Sequence, residues 1–173
     1  LTIKGYDEAA LHPIPQETVE SYLAEIPIVH TFNAYEGQNA VLEQEAQGEG
    51  VTVLSAGFSV DLPSAELFDG SIVDGGYNVY LAGIVSLDAQ ALRLLVDLSA
   101  LGEGDEVWVI DPVEPRAFGP FLSSDAEEGG KWLPTTESGM TVLMIRSTST
   151  EIPEINLLGV SHFFREIAPL KQL

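Results

Sequence analysis

The chain of 173 residues contains no cysteine. Disulfides, thiol chemistry and cysteine-ligated zinc are therefore excluded. Secreted bacterial domains often lack cysteine too, so this absence does not by itself name a compartment. Basic residues are scarce, seven against 27 acidic ones, for a formal charge of −20. So few cations cannot neutralise a run of phosphates, which excludes nucleic acid as a partner. The same argument excludes anionic membrane surfaces. Salt would screen the mutual repulsion of the acids. No stretch reaches the ~20 apolar residues of a membrane-spanning helix. With Leu1 in first position, the expectation is a processed product or an excised segment.

Histidine is also rare. His12, His30 and His162 each stand alone in local sequence. There is no HExxH, no close histidine pair and no His–carboxylate pair at metal spacing. His162 lies in the strand-like run "GVSHFFRE" and is expected to be a structural histidine. No GxSxG is present and no serine has a recognisable elbow. The chain is therefore expected not to be an enzyme. Paired carboxylates for glycoside hydrolysis stay open, since acids are abundant everywhere.

What the chain does have is apolar material. Hydrophobic residues make up 45%, enough for a full core in one domain. In residues 1–50, "PIPQETVESYLAEIP" places Val19, Tyr22, Leu23 and Ile26 on one helical face, with Pro15 at the start and Pro27 beyond the end. After it, "NAYEGQNAVLEQEAQGEG" reads as a loop or weak edge strand. From Val51 the texture becomes β. "VTVLSAGFSVDLP", "YNVYLAGIVS", "QALRLLVDLS", "DEVWVIDP", "RAFGPFL", "MTVLMIRSTS" and "EINLLGVSHFF" alternate and are separated by Gly, Pro, Asp and Ser clusters. Helical periodicity is missing between them, which disfavours a parallel βαβ sheet. In "EVWVID", Val107 and Val109 share one face while Trp108 and Ile110 take the other. Strands apolar on both faces are expected to be central ones, also covered by the N-terminal segment.

The fold class predicted is an all-β antiparallel sandwich, jelly-roll-like, with a short helical N-terminal extension. Residues 1–50 form the extension, 51–166 the sandwich, and 167–173 a tail or linker. No cofactor is expected, with calcium as the one candidate ion. Acid-and-glycine loops stand at 69–76, 102–106 and 125–130, and hard oxygen ligands on flexible backbone suit Ca²⁺. Asp69 and Asp74 in "DGSIVDGG" are the preferred pair. The aromatics Tyr77, Tyr80, Trp108 and Trp132 offer either a sugar-stacking platform or core filling. For Trp132, beside the loop bearing Asp125, Glu127 and Glu128, three roles compete: metal loop, ligand platform, or structural plug.

A resemblance bears on this choice. "VYLAGIVSLDAQALRLLVDLSALGEGDEVWVID" resembles a β-sandwich domain found upstream of trypsin-like peptidase domains in secreted bacterial proteins, including relatives of lysyl endopeptidases. The matching pieces are the turn Ser86–Ala89, the Arg-bearing strand Leu92–Val96, the turn Gly102–Gly104 and the strand Val107–Asp111. The run from 119 to 146 is similar in turn, through Gly119, Pro120, Phe121, Trp132, Pro134, Gly139 and Val142. "EINLLGVSHFFRE" is similar to the closing strand of that family. The likeness spans about residues 51–166. Leu87-Asp88 replaces the family's usual Pro-Gly, and Met140 replaces the acid after Gly139. The first fifty residues match no part of the pattern. The resemblance implies a secreted or periplasmic, non-catalytic accessory or propeptide-like domain, whose partner is a serine peptidase catalytic domain in cis or after processing. It would assist folding, masking or targeting of that peptidase. It implies structural roles for Trp108, Gly119, Pro120 and Trp132, with Trp132 as a buried plug, and it carries over no catalytic residue. The alternative is a stand-alone secreted module on the same fold that binds calcium or carbohydrate.

Overall fold

The computed structural model describes residues 14–34, 39–40, 43 and 55–164. His12, the first residues of the predicted run from Val51, and the tail at 167–173 lie outside the described residues.

Among the described residues, ten strands, two fully described α-helices and a 3-10 turn at Ser123–Asp125 follow in chain order, and residues 39, 40 and 43 are also helical. Helix α1 spans Gln16–Leu23, and α2 is a single turn at Ser64–Leu67. The strands are β1 Val29–Phe32, β2 Ser55–Pro63, β3 Ile72–Asp74, β4 Tyr77–Ser86, β5 Ala91–Asp97, β6 Asp105–Asp111, β7 Arg116–Phe121, β8 Lys131–Trp132, β9 Met140–Ser147 and β10 Asn156–Phe163. They form two sheets. One has the order β1-β4-β9-β6-β7, with β3 also paired to β4; the other is β2-β10-β5-β8. The fold is an all-β sandwich.

Period-two alternation sorts the side chains as the sequence implied. Val107, Val109, Leu143 and Ile145 face inward and meet Leu92, Leu94, Val96 and Val160 of the opposite sheet. Trp108, Ile110, Val142 and Met144 face outward from the six-stranded sheet, where Val19 and Tyr22 of α1 cover them. That sheet is buried on both faces, which is why its strands are apolar throughout. Helix α1 begins where Pro15 accepts the amides of Thr18 and Val19 through its carbonyl, with Glu17 in its first turn.

Three strands depart from the sequence reading. β1 pairs in parallel with β4, Val29 opposite Gly83 and Phe32 opposite Ser86, so part of the 1–50 segment is woven into the sheet. His30 Nε2 lies 2.9 Å from the Leu67 carbonyl and fixes this edge to α2. β3 lies inside the loop "DGSIVDGG", which forms a hairpin: Asp74 pairs with Tyr77 across Gly75-Gly76, and Gly75 has φ +61°. β8 has two residues. At the turn from β4 to β5, Asp88 takes φ +65° at the position where the resembled family has glycine. Aspartate tolerates this region better than most side chains.

β7 is bulged. Val107 pairs with Phe121 and Val109 with Phe118, so Gly119 and Pro120 together oppose Trp108. The bond between Gly119 and Pro120 is cis. Gly119 has φ +149°, and a Cβ there would meet the Val107 carbonyl at 2.8 Å and the Trp108 ring at 3.0 Å. Glycine is what lets the strand pass beneath the indole.

Candidate functional site

On the α1 side of the six-stranded sheet lies a cleft of about 570 Å³, within the size range of small-molecule sites. Its walls include Tyr22 from α1, Asp74 from β3, Tyr77 from β4, Glu106 and Trp108 from β6, and Arg146 from β9. Pro120, on the β7 bulge, also lines it. Sheet pairing gathers these residues. Arg146 stands between Val79 of β4 and Glu106 of β6, and Met144 stands beside Trp108, so all of them share the outward face.

The polar contacts are specific. The Tyr22 hydroxyl donates to Asp74 Oδ2 at 2.5 Å, tying α1 to β3. Burial, reinforced by that bond, drives the Tyr22 pKa well above the ordinary phenol value. Trp108 Nε1 donates to Glu106 Oε1 at 3.2 Å. The Arg146 guanidinium carbon sits 4.0 Å from the centre of the Tyr77 ring, a cation–π stack. Trp108 is only 2% exposed and forms the floor of the cleft, while Tyr77 and Arg146 are half-buried. Glu106 is the direct cross-strand neighbour of Arg146, yet no ion pair joins them among the described residues. The Nε of Arg146 is buried without a hydrogen-bond partner.

The sequence-predicted residues are divided by the fold. Asp74, Tyr77, Trp108 and Pro120 meet at the cleft, and Gly119 supports its floor. Tyr80 points into the sandwich against Phe68, ring centres 5.8 Å apart, so the four aromatics do not make one platform. Asp69 precedes β3 and Asp74 ends it, and no group of three or more metal-ligating side chains forms among the described residues. Of the other acid loops, Asp105 is buried and accepts from the Ser147 hydroxyl and the Gly102 amide. In the third, Glu127 pairs with Lys131 at 3.0 Å and Asp125 accepts the Leu122 amide at 2.9 Å.

Trp132 corrects the plug expectation. It is 36% exposed, on the outward face opposite Leu95, with the Arg93 guanidinium 5.0 Å from its ring centre. Its neighbour Leu133 is the buried residue, its amide donating to the Leu94 carbonyl at 2.8 Å. Period two decides this: if 133 faces the core, 132 must face out. Leu133, not Trp132, is the member of the pair that enters the core.

His162 is buried, and its Nδ1 lies 2.7 Å from Ser86 Oγ across the two sheets. From sequence, Tyr22 has only a place on the apolar helical face and Glu106 only one in the acid-and-glycine loop at 102–106, and Arg146 is no site candidate. Arg146 carried a usable signal: it is the only charged residue on the outward stripe Val142, Met144, Arg146, in a chain poor in cations. A second recess of about 360 Å³ opens beside Pro63 and Ile152, but its buried serine, Ser64, is already bonded to the Pro153 carbonyl at 2.5 Å. It is largely apolar and presents no comparable set of donors and acceptors.

No protein-family model matches the chain, and no curated protein matches it. Two solved structures are similar in part. One is an isomalto-dextranase of Arthrobacter globiformis T6 complexed with panose, 13% identical over 54% of this chain and 18% of that one, with a TM-score of 0.21. The other is the K2 cleaved adhesin domain of Lys-gingipain, 13% identical over 68% of this chain and 86% of that one, with a TM-score of 0.24. This chain thus spans less than a fifth of the isomalto-dextranase. Likeness at these scores carries no functional argument, and the fold class rests on the two sheets themselves.

Proposed function

We propose that this β-sandwich is a non-catalytic carbohydrate-binding module whose ligand lies in the cleft between α1 and the six-stranded sheet. One observation carries the reading: aromatic faces, carboxylates and a guanidinium converge there from five elements. A sugar presents apolar C–H faces and hydroxyls that both donate and accept. The half-buried Tyr77 ring, above the buried Trp108, suits the former; Asp74, Glu106 and Arg146 suit the latter. The strand orders β2-β10-β5-β8 and β4-β9-β6-β7 support a jelly-roll connection, since each sheet interleaves early and late strands. The resemblance to domains preceding secreted serine peptidases is compatible with this role. A sugar-binding module would target such a peptidase to its substrate, outside the cell. The targeting role rests on that resemblance and the binding role on the cleft.

The test is a glycan array probed with the purified chain, followed by calorimetry on the hits. Saturable binding, lost in both Tyr77→Ala and Asp74→Asn while melting temperature is kept, is the expected result. An array with no hit, neutral or acidic, overturns the reading. So does hydrolysis of the bound sugar that survives purification and disappears on mutating one cleft carboxylate.

A further inference from the structure

Basic side chains in this chain are few, and their fates differ. Arg116 lies 3.6 Å from Glu114 and Lys131 lies 3.0 Å from Glu127, both as ion pairs at the surface. That is the expected fate of a cation in a chain with a formal charge of −20. Arg93 stacks on the Trp132 ring at the outer surface, whereas Arg146 stacks on Tyr77 inside the cleft. Glu106, the cross-strand neighbour of Arg146, is turned to the Trp108 indole, and the carboxylate of Asp74 is engaged by the Tyr22 hydroxyl. Both acids that line the cleft with Arg146 are thus held by other partners, and no ion pair to Arg146 forms among the described residues. The guanidinium is instead held on the Tyr77 ring, in a fixed orientation at the cleft wall.

Building on the carbohydrate reading, we infer that the ligand is an acidic sugar, a uronic acid unit whose carboxylate is taken by Arg146. A neutral hydroxyl offers the guanidinium single hydrogen bonds. A carboxylate offers two parallel charge-assisted ones, the arrangement for which a planar, pre-positioned arginine is suited. The remaining oxygens of Asp74 and Glu106 are acceptors, matched to the hydroxyls of the same ring and opposed to a second anionic group nearby. The site therefore selects one carboxylate surrounded by hydroxyls, rather than a sulfate-rich or multiply charged ligand.

The experiment is calorimetry on the wild-type chain with neutral oligosaccharides that carry a single galacturonic or glucuronic acid unit, each against its carboxyl-reduced counterpart of the same linkage. At least one acidic oligomer is expected to bind about tenfold or more tightly than its reduced form, the scale of a lost charge-assisted pair. Arg146→Gln should erase that difference, and Arg146→Lys should restore only part of it, since an ammonium cannot pair in a fork. Should either variant fail to fold, the comparison of acidic with reduced ligand on the wild-type chain still decides the matter. Equal binding of the two forms overturns the acidic-sugar inference and leaves the carbohydrate reading standing. Binding of neither, with no hit elsewhere on the array, overturns that reading as well. A dipeptide with a free C-terminal carboxylate that binds as tightly as the uronate overturns the assignment to a sugar.

Discussion

Ser86 Oγ and His162 Nδ1 lie 2.7 Å apart, one on each sheet, both buried. The bond ties β4 to β10 through the interior, where an unmet polar group is expensive. Burial disfavours the imidazolium and lowers the His162 pKa from its ordinary 6.5, with Asp88 pulling weakly the other way. As pH falls, the unfolded chain takes up this proton before the folded one. The contribution to stability is complete above about pH 6.5 and is lost as pH drops towards the lower folded-state value. His162→Phe should remove this component, seen as a smaller fall in stability between pH 7 and 5 relative to wild type. The difference between the two proteins is the readout, because protonation of the acids relieves repulsion in both. Ser86→Ala should cost about 1–3 kcal/mol at pH 7 by chemical denaturation. An unchanged pH profile in the phenylalanine variant would show that His162 is not the titrating group.

Gly119→Ala should destabilise by about 1–3 kcal/mol, because the added methyl would press on the Val107 carbonyl and the Trp108 ring while φ stays at +149°. Gly57→Ala is the control, since a Cβ there meets nothing within 4 Å. Thermal melts of the pair check this. Equal midpoints would mean that the bulge relaxes freely around Trp108.

Trp132→Ala and Leu133→Ala should rank opposite to their sizes. The Trp132 ring is partly solvated and stacked on Arg93, an interaction worth about 0.5–1 kcal/mol at exposed sites. Leu133 fills the core, and its truncation should cost about 2–5 kcal/mol. Urea denaturation of the two variants measures the ranking directly. A larger loss for Trp132 would restore its role as a plug.

Melting temperature should climb as NaCl is raised, because a formal charge of −20 repels itself and the Debye length shortens to about 3 Å at 1 M. CaCl₂ at matched ionic strength should give the same increment if screening alone operates. A much larger effect, saturating below millimolar calcium and lost in Asp69→Asn with Asp74→Asn, would reveal an ion site in the β3 hairpin.

Much of this molecule follows from local sequence. The seven runs that alternate with period two coincide with β2, β4, β5, β6, β7, β9 and β10. Their inward and outward faces follow from the alternation itself, as in Val107 and Val109 against Trp108 and Ile110. The helix at Gln16–Leu23 was legible from its apolar face and flanking prolines. These features depend on neighbours within a few residues, which sequence displays directly.

Other features were decided only when distant segments met. "VHTF" carries too little pattern to declare a strand; pairing with β4 makes it one. β3 and β8, at three and two residues, are likewise strands only because a neighbour supplies their hydrogen bonds. The outward setting of Trp132 follows from which parity docks against β5, a choice that the local sequence leaves open. The cleft is the clearest case. Tyr22, Asp74, Glu106 and Arg146 are spread over 125 positions and converge because β9 lies between β4 and β6 with α1 across them. Sheet order is set by non-local packing of apolar faces, so the residues that touch in the site were separate in the chain and carried no shared motif.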